Sequence, residues 1–144
     1  MNIEQMIEIY PQRPHLVILG AGASKDSMPN GDAEGRPLPV MNEFISTLGL
    51  TDYIGRIEGV PKTDNIEDVY SWLANQEQFA EERFVVENEI REYFSNITLP
   101  DTLTKYDLLV LSLRQKDCIA TFNWDGLLVQ AYQRMQKITS DLPQ

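Results

Sequence analysis

Two short stretches carry the residue types that chemistry can use. The first is Gly20-Ala21-Gly22-Ala23-Ser24, directly after the apolar run Leu16–Leu19. Glycines there allow positive φ and let the backbone approach a ligand closely. The N–H groups of such a turn, and of a helix after it, favour an anion. The expected chemistry is a phosphate or pyrophosphate cradle at the carboxyl end of a parallel strand. The fingerprint is incomplete: Lys25 stands where G-x-G-x-x-G has its third glycine, and no G-K-[ST] follows. A tight strand-to-helix turn without a ligand is the plainer alternative. The second stretch is Asn123-Trp124-Asp125-Gly126, after the apolar run from Cys118 to Phe122. A neutral amide can orient a hydroxyl or a water without trapping a developing positive charge, and a carboxylate can stabilise that charge electrostatically. Asp125 before Gly-Leu-Leu is also a good helix N-cap, and the two roles are compatible.

The elements that must position these stretches follow from periodicity and breakers. Asn2–Tyr10 reads as an amphipathic helix with Ile3, Met6 and Ile7 on one face, ended by Pro11 and Pro14. Leu16–Leu19 reads as a short buried strand. Lys25–Pro39 carries three prolines and two glycines, so it reads as a flap over a ligand or as a solvated connection. Val40–Leu48 has helical spacing and is stopped by Gly49. Asp64 or Asn65 caps a helix with Ile66, Val69, Tyr70 and Leu73 on one face. Val86, Ile90, Tyr93, Phe94 and Ile97 mark another helix. Asp101 or Thr102 opens the next, with Leu103, Tyr106, Leu109, Val110 and Leu113 inward. These stripes read as core. Cys118–Phe122 is a second strand, and a last helix, Leu127–Met135, turns Leu128, Ala131, Tyr132 and Met135 inward.

If the two strands are parallel neighbours, Gly20, Gly22, Ser24, Asn123 and Asp125 share one sheet edge, where α/β proteins bind ligands. A plain dehydrogenase fits poorly. Its second strand, with a carboxylate for the ribose, belongs about 20 residues after the glycine turn. Glu43 lies there, inside a helical pattern.

Composition bounds the partners. The chain has 144 residues, enough for one modest domain with a core. A net charge of −10 argues against nucleic acid or an anionic membrane as partner through general electrostatics. An anionic ligand therefore needs local donors. No apolar run approaches a membrane span, and the acidic N-terminus is unlike a signal peptide, so a cytoplasmic location is expected. Cys118 is the single cysteine, which excludes an intrachain disulfide and a CxxC metal clip.

Strand-GAGAS, a Pro/Gly-rich flap and a strand ending in TFNWD together resemble the sirtuin superfamily. The closer resemblance is to its bacterial sirtuin-like branch, mostly NAD-consuming enzymes of antiphage defence. The phrase DNIEDVYSWLAN, residues 64–75, is also similar to that branch. The resemblance spans roughly residues 15–135, with its diagnostic residues in the two short motifs. It implies NAD as ligand or substrate. Gly20, Ala21, Gly22, Ala23 and Ser24 would bind the pyrophosphate, Asn123 would be the active-site asparagine beside the nicotinamide ribose, and Asp125 would help hold the nicotinamide end. Asn123 and Asp125 are thus the catalytic candidates. The flap would be the cofactor-binding loop.

The implied fold is α/β: a Rossmann-like parallel sheet with helices on its faces. A helical insertion, about residues 40–114, separates its first two strands within a single domain, 1–144. That family's sheet has more strands than the two read here. The expectation is therefore an incomplete sheet with an unpaired edge, completed by a second copy or a partner chain. Two departures shape the functional expectation. The family's catalytic histidine lies downstream of the asparagine strand, whereas His15, the lone histidine, precedes the first strand. Phe122 stands where deacylating members carry glutamine, and their zinc cysteines are absent. The leading expectation is an NAD-binding domain related to enzymes that cleave NAD to nicotinamide and ADP-ribose. A non-catalytic regulatory or assembly module is the main alternative, and an NAD-dependent protein deacylase ranks below it.

Overall fold

The computed structural model describes residues 13–140. The helix expected at Asn2–Tyr10 and residues 141–144 of the tail lie outside the described residues. Strands β1 (Leu16–Leu19) and β2 (Cys118–Thr121) pair in parallel, with Leu16 opposite Cys118 and Leu19 opposite Thr121. The register is held at both ends. At one end the Cys118 N–H donates to the His15 carbonyl, and at the other the Phe122 N–H donates to the Leu19 carbonyl. Before the strands, the His15 N–H donates to Asp117 Oδ1 at 2.8 Å, and Arg114 brackets the same carboxylate. The Arg114 guanidinium, helped by that N–H, holds the Asp117 carboxyl well below the usual range.

Everything between the strands is helix and loop. Helix α1 (Ala21–Ser27) follows β1 directly. After a loop come a 3-10 turn (Met41–Glu43), α2 (Phe44–Thr47), α3 (Thr51–Ile54), α4 (Ile66–Ala74), a second 3-10 turn (Glu77–Phe79), α5 (Ala80–Ser95) and α6 (Lys105–Ser112). Helix α7 (Leu127–Ser140) follows β2. The described residues thus form a mixed α/β architecture around an open, two-stranded parallel sheet. Among them, no helix is long and apolar enough to cross a membrane.

Two apolar clusters hold these elements. One is built within the helical block from Phe44, Ile45, Leu50, Ile54, Ile57, Ile66, Val69, Leu73 and Val86. The other joins α1, α6 and α7 through Met28, Leu38, Ile97, Tyr106, Leu127 and Ala131. Helix α4 forms as its spacing predicts: Asn65 caps it by accepting the Glu67 N–H at 2.9 Å, and Ile66, Val69 and Leu73 are fully buried. Gly49, at φ +68°, ends the turn after α2, a backbone conformation that favours glycine.

Several expectations change. The β1 strand is not buried on both faces: Leu16 and Ile18 are 63% and 64% exposed, because no described element covers that side. Helix α6 starts later than Asp101 or Thr102. Thr104 caps it, accepting the Asp107 N–H while Asp107 accepts the Thr104 N–H at 2.7 Å. Leu103 precedes that cap and is exposed. In α7, Ala131 and Met135 are buried as expected and Leu128 is partly buried, whereas Tyr132 is half-exposed and Leu127, outside the expected inward set, is fully buried.

Candidate functional site

The glycine turn does not work as expected. Gly20 is extended (φ −122°, ψ −178°) and Gly22 already lies in α1, so neither is in the left-handed region. The left-handed glycines are Gly31, Gly35, Gly49 and Gly59. What Gly20 and Gly22 provide is space: a Cβ built on either meets nothing within 4 Å. The strand therefore passes straight into the helix and leaves its backbone uncovered there.

One turn into α1, Ser24 is 2% exposed and faces the end of β2. Its hydroxyl donates to Asp125 Oδ2 at 2.7 Å, lies 2.7 Å from the Tyr106 hydroxyl, and accepts from Asn123 Nδ2 at 2.7 Å. Asn123 Nδ2 also reaches the Tyr106 hydroxyl at 3.1 Å. The other oxygen of Asp125 accepts the Leu127 N–H at 3.1 Å, so the carboxylate steadies the start of α7 as its sequence position predicts. Thr121 Oγ1 accepts the Asn123 N–H at 3.1 Å and fixes the backbone just past β2. Asn123 Oδ1 is buried and has no hydrogen-bond partner.

These groups stand in a cleft of about 230 Å³. Gly20, Ala21, Ser24, Asn123 and Asp125 line its polar side. Gly22 and Ala23 do not: consecutive helical residues point in different directions, and Ala23 packs towards the second apolar cluster. The opposite wall is apolar and includes Phe44, Phe94 and Trp124. The Trp124 ring meets Phe44 edge-on at 5.5 Å and Phe94 at 6.4 Å, which ties the turn after β2 to the helical block. Phe122 sits at the rim, 77% exposed. Glu67, from the first turn of α4, also borders the space.

Leu38 and Pro39 complete the wall from the loop after α1, and this loop is fastened rather than free. Asp32 is its anchor. The carboxylate accepts the backbone N–H groups of Glu34, Arg36 and Thr98 and pairs with the Arg36 guanidinium. Arg36 also donates to the Asn96 carbonyl, and the Tyr93 hydroxyl donates to the Pro37 carbonyl. Burial alone would raise the Asp32 carboxyl. The Arg36 bonds and the three N–H donors outweigh it and hold the carboxyl below its ordinary value.

Tyr106 is the site residue that helical spacing hid. Its ring sits in the second apolar cluster, as a core position should, while its hydroxyl reaches the polar network. Burial pushes its phenol upward, the Asp125 charge adds to this, and the Ser24 and Asn123 bonds pull against it. No pattern in the sequence separates this tyrosine from an ordinary core aromatic.

His15 lies at the opposite end of β1 from the cleft. Its ring is 57% exposed, with Nδ1 2.9 Å from Arg114 Nη2 and 3.7 Å from Asp117 Oδ1. The two lysines nearest the site in sequence are already committed, Lys25 to Glu43 and Lys105 to Asp26. The cleft therefore offers exposed backbone, one carboxylate and an aromatic wall, beside one buried, unpaired amide oxygen. Such a set can orient a hydroxyl-bearing or amide-bearing ligand against a flat apolar surface. No protein-family model matches the chain, and no curated protein matches it.

Proposed function

We propose that the chain is a sirtuin-like, NAD-binding domain of Rossmann-like type, related to the bacterial enzymes that cleave NAD to nicotinamide and ADP-ribose in antiphage defence. One observation carries the reading. Side chains from the segments that follow two adjacent parallel strands, Ser24 in the helix after β1 and Asn123 and Asp125 in the turn after β2, converge on a single cleft. The resemblance names these same positions. The cleft also suits one end of a dinucleotide. Its roughly 230 Å³ falls below the range of about 300–1,000 Å³ that encloses a drug-sized ligand. The nicotinamide–ribose end would occupy it, with the remainder of the ligand passing over the uncovered backbone at Gly20. The unpaired Asn123 Oδ1 fits a ribose hydroxyl or a water, and Asp125 is the carboxylate available to a positively charged sugar. NAD brings the scissile bond, and the chain supplies orientation, an acceptor and a negative charge.

Isothermal titration with NAD tests binding; the absence of both heat and a thermal shift would reject it. Turnover is read as nicotinamide release. Asn123→Ala abolishes it, and unchanged release in that variant refutes the assigned role. A cytoplasmic protein completed by a second copy or a partner chain at the open sheet belongs to the same proposal.

A second reading is a non-catalytic regulatory or assembly module of the same fold. The observation in its favour is that His15 stands at the far end of β1, so no imidazole of the described residues lines the cleft. It predicts NAD binding with no nicotinamide release at any enzyme concentration. Deacylation of a peptide remains the weakest reading, because Phe122 occupies the rim where a polar side chain is expected.

A further inference from the structure

We infer that Tyr106, Ser24 and Asp125 form a directional hydrogen-bond chain that locks the Asn123 side chain with its NH₂ towards Ser24, so that its carbonyl oxygen is the amide atom left without a partner. Asp125 as a carboxylate only accepts, so the single Ser24 hydroxyl proton is committed to it at 2.7 Å. Ser24 Oγ then has only lone pairs left for its two other neighbours. The Tyr106 O–H must donate to it, and so must Asn123 Nδ2. With its own proton used, Tyr106 Oη is a further acceptor for Asn123 Nδ2 at 3.1 Å. Because Tyr106 Oη and Ser24 Oγ are 2.7 Å apart, they lie on one side of the NH₂ group and share its inward N–H. In the flipped amide, Asn123 Oδ1 would face Ser24 Oγ at 2.7 Å with no hydrogen between them, a contact of two acceptors. The ambiguity that ordinarily attends an asparagine amide is therefore removed by the carboxylate two residues on.

The consequence is a statement about ligand chemistry. The buried, unpartnered Asn123 Oδ1 accepts and does not donate. The matching group is a hydroxyl, a water or an N–H, and not a carbonyl or a phosphate oxygen. Tyr106 is a positioning residue: it acts through Asn123 and need not touch the ligand. That the donor is a ribose hydroxyl rests on the NAD reading; the orientation itself does not.

The test is NMR of ¹⁵N-labelled full chain, with the Asn123 side-chain amide assigned by its loss in Asn123→Ala. The inward amide proton should be protected from exchange in the free protein. Tyr106→Phe removes one of its two acceptors, and that proton should then exchange about two- to fivefold faster, a part of the fold-change of a net hydrogen bond. Asp125→Asn should release the chain and let the amide sample both orientations. Free exchange of both protons in the unaltered chain overturns the inference without any variant. Undiminished protection in a folded Tyr106→Phe overturns the role of Tyr106. ADP-ribose is the ligand probe. If it leaves the Asn123 resonances unmoved while the inward proton stays protected, the lock stands and the NAD reading falls. If it binds and the protons are unprotected, the NAD reading stands and the lock falls.

Discussion

The helical block and the sheet half of this molecule are held together by different physics. The cluster around Ile66, Val69, Leu73 and Val86 is apolar throughout. The buried polar and charged residues, Ser24, Ser27, Asp32, Thr104 and Asp107, are all carried by the elements around the sheet or by the loop beside it. Helices α6 and α7 are joined by a buried ion pair between Asp107 and Arg134, and α1 is joined to α6 where the Tyr106 N–H donates to Ser27 Oγ. Apolar packing resists changes of pH and tolerates changes of shape. Polar joints are sensitive to pH but fix geometry. The half that carries the cleft is the half that adds buried polar joints to its own apolar cluster.

The largest expected effect is on one of those joints. Asp107 is fully buried, whereas Arg134 keeps a quarter of its side chain exposed. Asp107→Ala breaks the pair and the Thr104 cap together, and should destabilise by about 3–5 kcal/mol in urea unfolding. The pH dependence has a definite sign. Burial raises the Asp107 carboxyl, but the Arg134 and Thr104 bonds outweigh it and leave it below its ordinary value, as at Asp32. A depressed carboxyl contributes stability that is present above the unfolded value of about 3.9 and is lost as pH falls through the folded one. Unfolding midpoints should therefore drop steeply below about pH 4. Asp107→Asn should flatten that drop, and an unaltered acid limb would break the comparison.

Next comes the helical block. Leu73→Ala should cost about 3 kcal/mol through lost burial and a residual cavity, with an effect independent of pH between 3 and 7. The smallest effect belongs to the uncovered sheet face. Leu16→Thr with Ile18→Thr should move the unfolding free energy by only about 0.5 kcal/mol per site, because both side chains already meet solvent. If the pair costs as much as Leu73→Ala, that face is covered in solution. Sedimentation of the same variant would then identify a second copy as the cover.

The helical block was legible because its information is periodic. Ile66, Val69 and Leu73 mark the face of α4, and Asn65 supplies its cap in the expected place. The strands were legible from two apolar runs bounded by polar turns, whereas their parallel pairing entered the sequence reading only as a condition and is supplied by the structure. Three features resisted reading. Tyr106 has a core position and a functional hydroxyl, and spacing reports only the first. Gly20 and Gly22 were read both for the positive φ and for the close approach that glycine allows, and only the second, the missing side chain, matters here. Asp32 sits in a stretch whose prolines and glycines read as a solvated flap, yet it collects donors from Glu34, Arg36 and Thr98, the last 66 residues away. A hub of that kind is set by tertiary contact, and local composition does not encode it.

That hub has a consequence for binding entropy. Ordering a loop residue costs about 1–2 kcal/mol of backbone freedom. Because Asp32 fastens the loop that carries Leu38 and Pro39, this cost is met during folding, and a ligand finds the wall already in place. Asp32→Asn keeps the shape of the side chain but weakens the Arg36 pair. It should shift the ordering to the moment of binding. In calorimetry with NAD, the enthalpy should become more favourable, the entropy less so, and the affinity lower. Equal entropies in the two proteins would mean that the wall stays rigid without its anchor.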